Sequence, residues 1–142
     1  MTVHEPNLGN RVRVCNRADK AALDAIAAEL GDNLIPFVHD VCDEAGWAKL
    51  LDMVRDKSGR LDILFNNAGI NLFQPIEESS YSDWDWVMGV NLHGPINGVM
   101  TFVPRMIAAG NGGYVVNTAS MAGWLAAGSP GIYNKTKFAV RG

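Results

Sequence analysis

Tyr114-Val-Val-Asn-Thr-Ala-Ser120, then Met121-Ala-Gly-Trp-Leu-Ala-Ala-Gly-Ser-Pro130 and Gly131-Ile-Tyr-Asn-Lys-Thr-Lys137, is the stretch that decides how this chain folds. Its first part reads as a short strand, Tyr114 to Thr118, apolar at its start as expected when both faces of a parallel sheet are covered. A turn of small residues follows, and Pro130 with Gly131 precedes a helix start. Strand then helix is half of a right-handed crossover, so the stretch predicts a parallel α/β sheet. Tyr133 and Lys137 are four apart and project from one helix face, which brings an ammonium near a phenol. A cation beside a phenol favours its ionised form, as does a hydrogen bond to the phenolate. Ser120 offers a hydroxyl thirteen residues before Tyr133. Taken alone, a Tyr-x-x-x-Lys spacing is a weak signal, because any solvated helix face can carry it.

The rest of the chain repeats the alternation. Arg11 to Cys15 alternates as a strand, and a helix follows in which Leu23, Ile26 and Leu30 recur at helical spacing before a stop at Gly31. Leu34 to Val38 is a second strand, placed at a sheet edge by Pro36, which cannot donate to a ladder. Asp43 opens a helix with an apolar stripe of Trp47, Leu50, Leu51 and Val54, ended by Ser58-Gly59. Leu61 to Phe65 is a third strand. From Ser82, read as a cap with Asp83 and Asp85 in the first turn, a helical region runs to about Ala109, with expected interruptions at Gly94-Pro95 and near Pro104. Trp84, Trp86, Met100, Phe102 and Met106 read as packing residues of that region, with an oligomer face among the options. Residues 1–10 are polar and read as an irregular arm, leaving 11–142 as one domain.

Four motifs in order resemble the short-chain dehydrogenase/reductase (SDR) family: Asn66-Asn67-Ala68-Gly69 after an apolar run, Asn91-Leu92-His93-Gly94 in a later helix, Ser120 after Val115 to Ala119, and Tyr133-x-x-x-Lys137. The likeness extends from about Val12 to the end. It implies a partial Rossmann-like, doubly wound parallel sheet in an NAD(P)-binding domain. The family's Thr-Gly-x-x-x-Gly-x-Gly loop has no match, because the only glycine before residue 31 is Gly9. The resemblance therefore predicts a fragment truncated at both ends, lacking the first strand with its glycine-rich loop and the C-terminal strands. In the sheet order 3-2-1-4-5-6 the first strand is central. The strands near 11–15 and 61–65 are then expected to stand about 10 Å apart, twice the usual spacing.

The same resemblance implies an oxidoreductase that transfers a hydride between NAD(P) and a carbonyl or secondary alcohol. Tyr133 would be the general acid/base, Ser120 would hold the substrate oxygen, and Lys137 would assist Tyr133 and bind the nicotinamide ribose. The main-chain carbonyl of Asn91 would hold a water that relays protons to Lys137. Pro95, which has no N–H to bond that carbonyl, either makes this kink permanent or bends the helix for packing alone. Asn67, Ala68 and Gly69 would line the ribose, with Asn66 a structural hydrogen-bonder. Asp40-Val41 resembles the pair that meets the adenine ring; the alternative is a turn aspartate capping the helix that follows. Asn16 and Arg17 stand where NAD-specific folds carry an acid, so NADP is favoured over NAD. His93 reads as an ordinary surface or groove histidine. Asn71, Leu72, Phe73, Met121, Trp124 and Leu125 could wall a largely apolar pocket for a small alcohol or carbonyl. The competing reading is a non-catalytic truncated remnant or interaction fragment, which on its own is inactive.

Composition narrows the remaining classes. A formal net charge of −3 in 142 residues leaves no basic footprint for nucleic acid. No apolar run approaches the roughly 20 residues of a membrane span. The first residues carry neither a basic nor an apolar signal region, so no signal peptide and a cytoplasmic location are expected. Cys15 and Cys42 match no metal spacing and read as reduced thiols, and no metal is expected. A homo-oligomer is the expected state of the full-length form.

Overall fold

The computed structural model describes residues 12–16, 20–126 and 130–142, so the arm at 1–10, Arg11, Arg17 and Asp19 lie outside the described residues. The elements alternate as expected. Strand β1 (Val12–Asn16) leads to helix α1 (Lys20–Leu30), strand β2 (Leu34–Val38) to helix α2 (Glu44–Ser58), and strand β3 (Ile63–Asn66) to helix α3 (Tyr81–Met88). A π-helical turn (Gly89–His93) joins α3 to α4 (Gly94–Ala109), and strand β4 (Tyr114–Asn117) precedes α5 (Gly131–Arg141). No described helix is long and apolar enough to cross a membrane.

The sheet is in two pieces. β1 pairs in parallel with β2, from Val12 opposite Leu34 to Asn16 opposite Val38. β3 pairs in parallel with β4, from Ile63 opposite Tyr114 to Asn66 opposite Asn117. Among the described residues the two ladders are separate, with no direct pairing of β1 with β3. That agrees with a sheet whose central position is not filled by the flanking strands closing up. Pro36 lies opposite Val14 on the outer strand of its ladder, where its missing N–H breaks no second ladder.

The core lies on one face of the second ladder. Trp47, Leu50 and Val54 of α2 meet Leu64 of β3 and Phe102 and Met106 of α4 in one buried cluster. The stripe read on α2 is therefore the stripe that packs. α2 starts where expected, with the Asp43 carboxylate accepting the Ala45 N–H at 3.1 Å.

Several expectations need correction. The cap of α3 is Ser80 and not Ser82: Ser80 Oγ accepts the Asp83 N–H at 3.2 Å and the Asp83 carboxylate accepts the Ser80 N–H at 2.8 Å, a reciprocal pair that starts the helix at Tyr81 and leaves Ser82 inside it. The break before Pro95 is the π turn, in which the Gly94 N–H donates to the Gly89 carbonyl, and Pro95 itself sits in the first turn of α4 where no N–H is required. Pro104 does not interrupt α4, because Phe102 and Met106 on either side of it are anchored in the core. β4 was expected to be covered on both faces, yet Tyr114 is 72% exposed and Val115 40%. The reason is placement: α4 packs over β3, and no described strand lies on the far edge of β4. Of the α1 stripe only Leu23 is buried, while Ile26 and Leu30 face outward. Trp86 and Met100, read as packing residues with an oligomer face among the options, are exposed in the single chain.

Candidate active site

α5 is short of acidic residues and carries its polar groups inward. Thr136 and Lys137 are both buried. Lys137 Nζ donates to the Thr118 carbonyl at 2.8 Å, just beyond β4, and lies 5.6 Å from the centre of the Tyr133 ring. The two residues four apart on the helix do meet. Tyr133 is half-buried, and its hydroxyl bonds to no described residue. No described carboxylate pairs with the Lys137 ammonium. A Cβ placed on Gly69 would lie 3.5 Å from Lys137 Nζ and 3.6 Å from Asn91 Oδ1, so the turn after β3 runs directly past both groups.

Asn91 sits in the π turn, a rare geometry that tends to mark functional positions. Its side chain is almost fully buried at 1% exposure. Asn91 Oδ1 accepts the Ile70 N–H at 2.8 Å, and Nδ2 donates to the Ile70 carbonyl at 2.9 Å and to Thr136 Oγ1 at 3.1 Å. The amide thus clamps the backbone after Asn66-Asn67-Ala68-Gly69 and ties it to α5. Thr136 completes the tie, since its hydroxyl donates to the Tyr133 carbonyl at 2.8 Å. Thr136 carried no signal in the sequence, because a helical threonine looks like a surface residue until its partner is known.

Ser120 caps the short turn Met121–Gly123, its Oγ accepting the Ala122 N–H at 3.2 Å. Its hydroxyl hydrogen finds no acceptor among the described residues. The turn lies against α5: a Cβ on Gly123 would come 2.6 Å from the Lys137 carbonyl oxygen, so only glycine permits this approach. The following residues leave the surface open, with Met121, Trp124 and Leu125 exposed, as is Phe73 after the other turn. Arg141 stacks its guanidinium 3.5 Å from the centre of the Trp124 ring system.

The loops after β2 and β3 converge. Asn66 is structural as expected, Nδ2 donating to Asn117 Oδ1 at 2.9 Å across the ladder. Asn67 Oδ1 accepts from Thr118 Oγ1 at 2.8 Å, binding the two site loops together. Val41, Asn67, Ala68, Gly94 and Pro95 line one small cleft. Gly94 is required there, because a Cβ would come 2.9 Å from Val41 Cγ2. Trp47 Nε1 and Asn97 Nδ2 donate to the Val41 carbonyl at 2.9 and 3.2 Å, fixing its place. The Asp40 carboxylate accepts the Cys42 N–H at 3.0 Å in a local turn, while the cap of α2, the alternative role read for Asp40, is taken by Asp43. Asn16 ends β1 with its side chain outside the described residues, and Arg17 is outside them entirely. His93 is exposed, as expected.

Two buried polar atoms escaped sequence reasoning. His39 Nε2 and Asn71 Oδ1 have no hydrogen-bond partner among the described residues. His39 stands edge-on to Trp47 with ring centres 4.9 Å apart. Burial pushes the His39 pKa down, against the opposing pull of Asp43 and Asp40.

The family model described as short chain dehydrogenase matches residues 6–142. The chain belongs to the short-chain dehydrogenase family. A short-chain dehydrogenase structure from Novosphingobium aromaticivorans is 54% identical, superposes with a TM-score of 0.87, and is matched over 94% of this chain and 52% of its own. A short-chain dehydrogenase/reductase from Burkholderia phymatum in complex with NAD is 38% identical with a TM-score of 0.87, over 91% of this chain and 47% of its own. Among curated proteins, the NADP-dependent (R)-specific alcohol dehydrogenase of Lentilactobacillus kefiri is 34% identical over 94% of this chain and 53% of its own length. The chain spans about half the length of the relatives it matches. The Rossmann-like α/β architecture of the family is thus the fold seen here in two parallel ladders.

Proposed function

We propose that residues 11–142 form part of the NAD(P)-binding domain of an oxidoreductase that transfers a hydride between the cofactor and a carbonyl or secondary alcohol, with Tyr133 as the general acid/base. The observation that carries this reading is the Lys137 ammonium, buried beside Tyr133 and Gly69 with one carbonyl as its hydrogen-bond partner among the described residues. An ammonium has three N–H donors, and burying it with donors unspent is costly. The hydroxyl pair of a nicotinamide ribose supplies acceptors of the right kind at that place, so the residues fit the cofactor. When bound, the nicotinamide supplies or accepts the hydride.

This chain's residues would do the rest. In the oxidation direction Tyr133 as phenolate takes the substrate hydroxyl proton, and Lys137 sets a positive charge beside the ring where negative charge develops. Ser120 donates its unspent hydroxyl hydrogen to the substrate oxygen. Asn67, Ala68 and Gly69 border the ribose, Asp40 and Val41 the adenine, and the Asn91 carbonyl holds a relay water for Lys137. Asn16 and Arg17 favour NADP, the cofactor of the Lentilactobacillus relative, whereas the Burkholderia relative is in complex with NAD. The substrate is a small alcohol or carbonyl with an apolar body, supported by Met121, Trp124, Leu125 and Phe73 beside the two site turns. Exposed Trp86, Met100 and Ile107 support a homo-oligomer. The separation of the sheet into two ladders favours a second reading, that the 142-residue chain alone is inactive.

The test is to replace the matching stretch of the Novosphingobium protein with residues 12–142 and follow NAD(P)-linked oxidation of secondary alcohols. Turnover is expected, and Tyr133→Phe should lower it by about 10²- to 10⁴-fold with an unchanged unfolding temperature. Full turnover in Tyr133→Phe removes Tyr133 from proton transfer. A folded chimaera without turnover favours the non-catalytic reading.

A further inference from the structure

The candidate active site lies at the carboxyl ends of β3 and β4, and a second cavity lies at the opposite end of β3. A space of about 280 Å³ opens between the C-terminal turns of α2 and α4, closed below by Gly59, Arg60 and Leu61. Leu51, Val54, Phe102 and Met106 form its apolar wall. Its mouth carries three guanidinium groups, Arg55, Arg60 and Arg105, and one carboxylate, Asp52.

The three arginines are not equivalent. Arg55 is held by Asp52 at 2.9 Å and Asp56 at 3.0 Å, and Arg60 is held by Asp62. Arg105 projects from α4 at the same mouth and pairs with no described carboxylate. A guanidinium offers a planar fork of donors matched to a carboxylate, and it stays charged at any working pH. An apolar recess with one unmatched cation at its rim selects a ligand with an apolar body and a single anionic head. Asp52 at the same rim disfavours a dianion.

We propose that this cavity binds an amphipathic carboxylate, its hydrocarbon part against Leu51, Val54, Phe102 and Met106 and its head on Arg105. The proposal does not depend on the oxidoreductase reading, since none of these residues belongs to the candidate active site.

Octanoate, octanol and acetate are suitable probes, titrated into the 142-residue chain by calorimetry and by amide chemical-shift mapping. Saturable one-to-one binding of octanoate is expected, with shifts confined to α2, α4 and the Gly59–Leu61 turn, and with octanol and acetate each at least about tenfold weaker. Arg105→Ala should weaken octanoate about tenfold and leave octanol unchanged, as removal of one charge-assisted contact implies. Ala109→Trp, which places a ring at the cavity edge, should weaken both octanoate and octanol. Arg105→Gln serves should the alanine variant fail to fold. Equal affinity for octanol and octanoate, binding insensitive to both substitutions, several weak sites spread over the surface, or no binding at all would each overturn the assignment.

Discussion

The two ladders of this molecule are alike in direction and nearly alike in length, but they are held in different ways. The β1–β2 ladder is backed by α1, which contributes Leu23 as its buried side chain while Ile26 and Leu30 stay outside. The β3–β4 ladder is backed by a six-residue apolar cluster and cross-tied by Asn66, Asn67, Asn91, Thr136 and Lys137. Between them, His39 at the exit of β2 leans on Trp47 of α2. Every candidate proton-transfer residue lies on the elements that surround the second ladder: Asn91 in the π turn, Ser120 after β4, and Tyr133 and Lys137 on α5. The difference teaches that apolar packing and the buried polar network coincide in one half, so local stability is expected to be uneven along the chain.

The sharpest way to break this contrast is to cut a core side chain in each half. Phe102→Ala, in the shared cluster, should cost about 3–5 kcal/mol and speed amide exchange throughout β3 and α4. Leu23→Ala should fall near the low end for a buried leucine, about 2 kcal/mol, with faster exchange confined to α1 and β2. Equal costs with global spread in urea unfolding would show that the ladders are one cooperative unit.

The next effect belongs to the polar tie. Asn91→Leu strips partners from the Ile70 N–H and carbonyl and from Thr136, so a loss of roughly 1–3 kcal/mol is expected. Unfolding that matches the parent within error would mean that the clamp adds nothing to the second ladder.

At the join between the halves, His39 has a folded-state pKa below its ordinary value. The unfolded chain then takes up a proton first as pH falls, and stability declines below about pH 6.5, by at most about 1.4 kcal/mol per pH unit for one group. Comparing the parent with His39→Phe by denaturation across pH isolates this contribution. The variant should lose the decline, and a parallel decline in both proteins assigns it to other groups. The smallest effect lies on the first ladder's helix, where the exposed side chains of Lys20 and Asp24 pair at 2.6 Å. Asp24→Asn should change thermal stability by about 0.5 kcal/mol or less. A larger loss would show that α1 depends on surface charge in place of burial.

Local chemistry was legible in the residues themselves. The alternation of strands and helices, the α2 stripe of Trp47, Leu50 and Val54, and the shared face of Tyr133 and Lys137 all follow from spacings within a few residues, which any helix or strand must obey. The order of the four motifs named the family that residues 6–142 match. Tertiary structure decided the rest. Leu23 and Ile26 look alike in sequence but differ in burial, and Tyr114 to Val116 are exposed although their run is as apolar as a covered strand. Asn91 gave no hint that its amide would grip Ile70, nor Thr136 that it would join that amide to α5. Those partners lie 21 and 45 residues from Asn91, and no local period encodes them. Burial and long-range hydrogen bonding depend on which elements the chain brings together, and that is set by the sum of packing over the whole molecule.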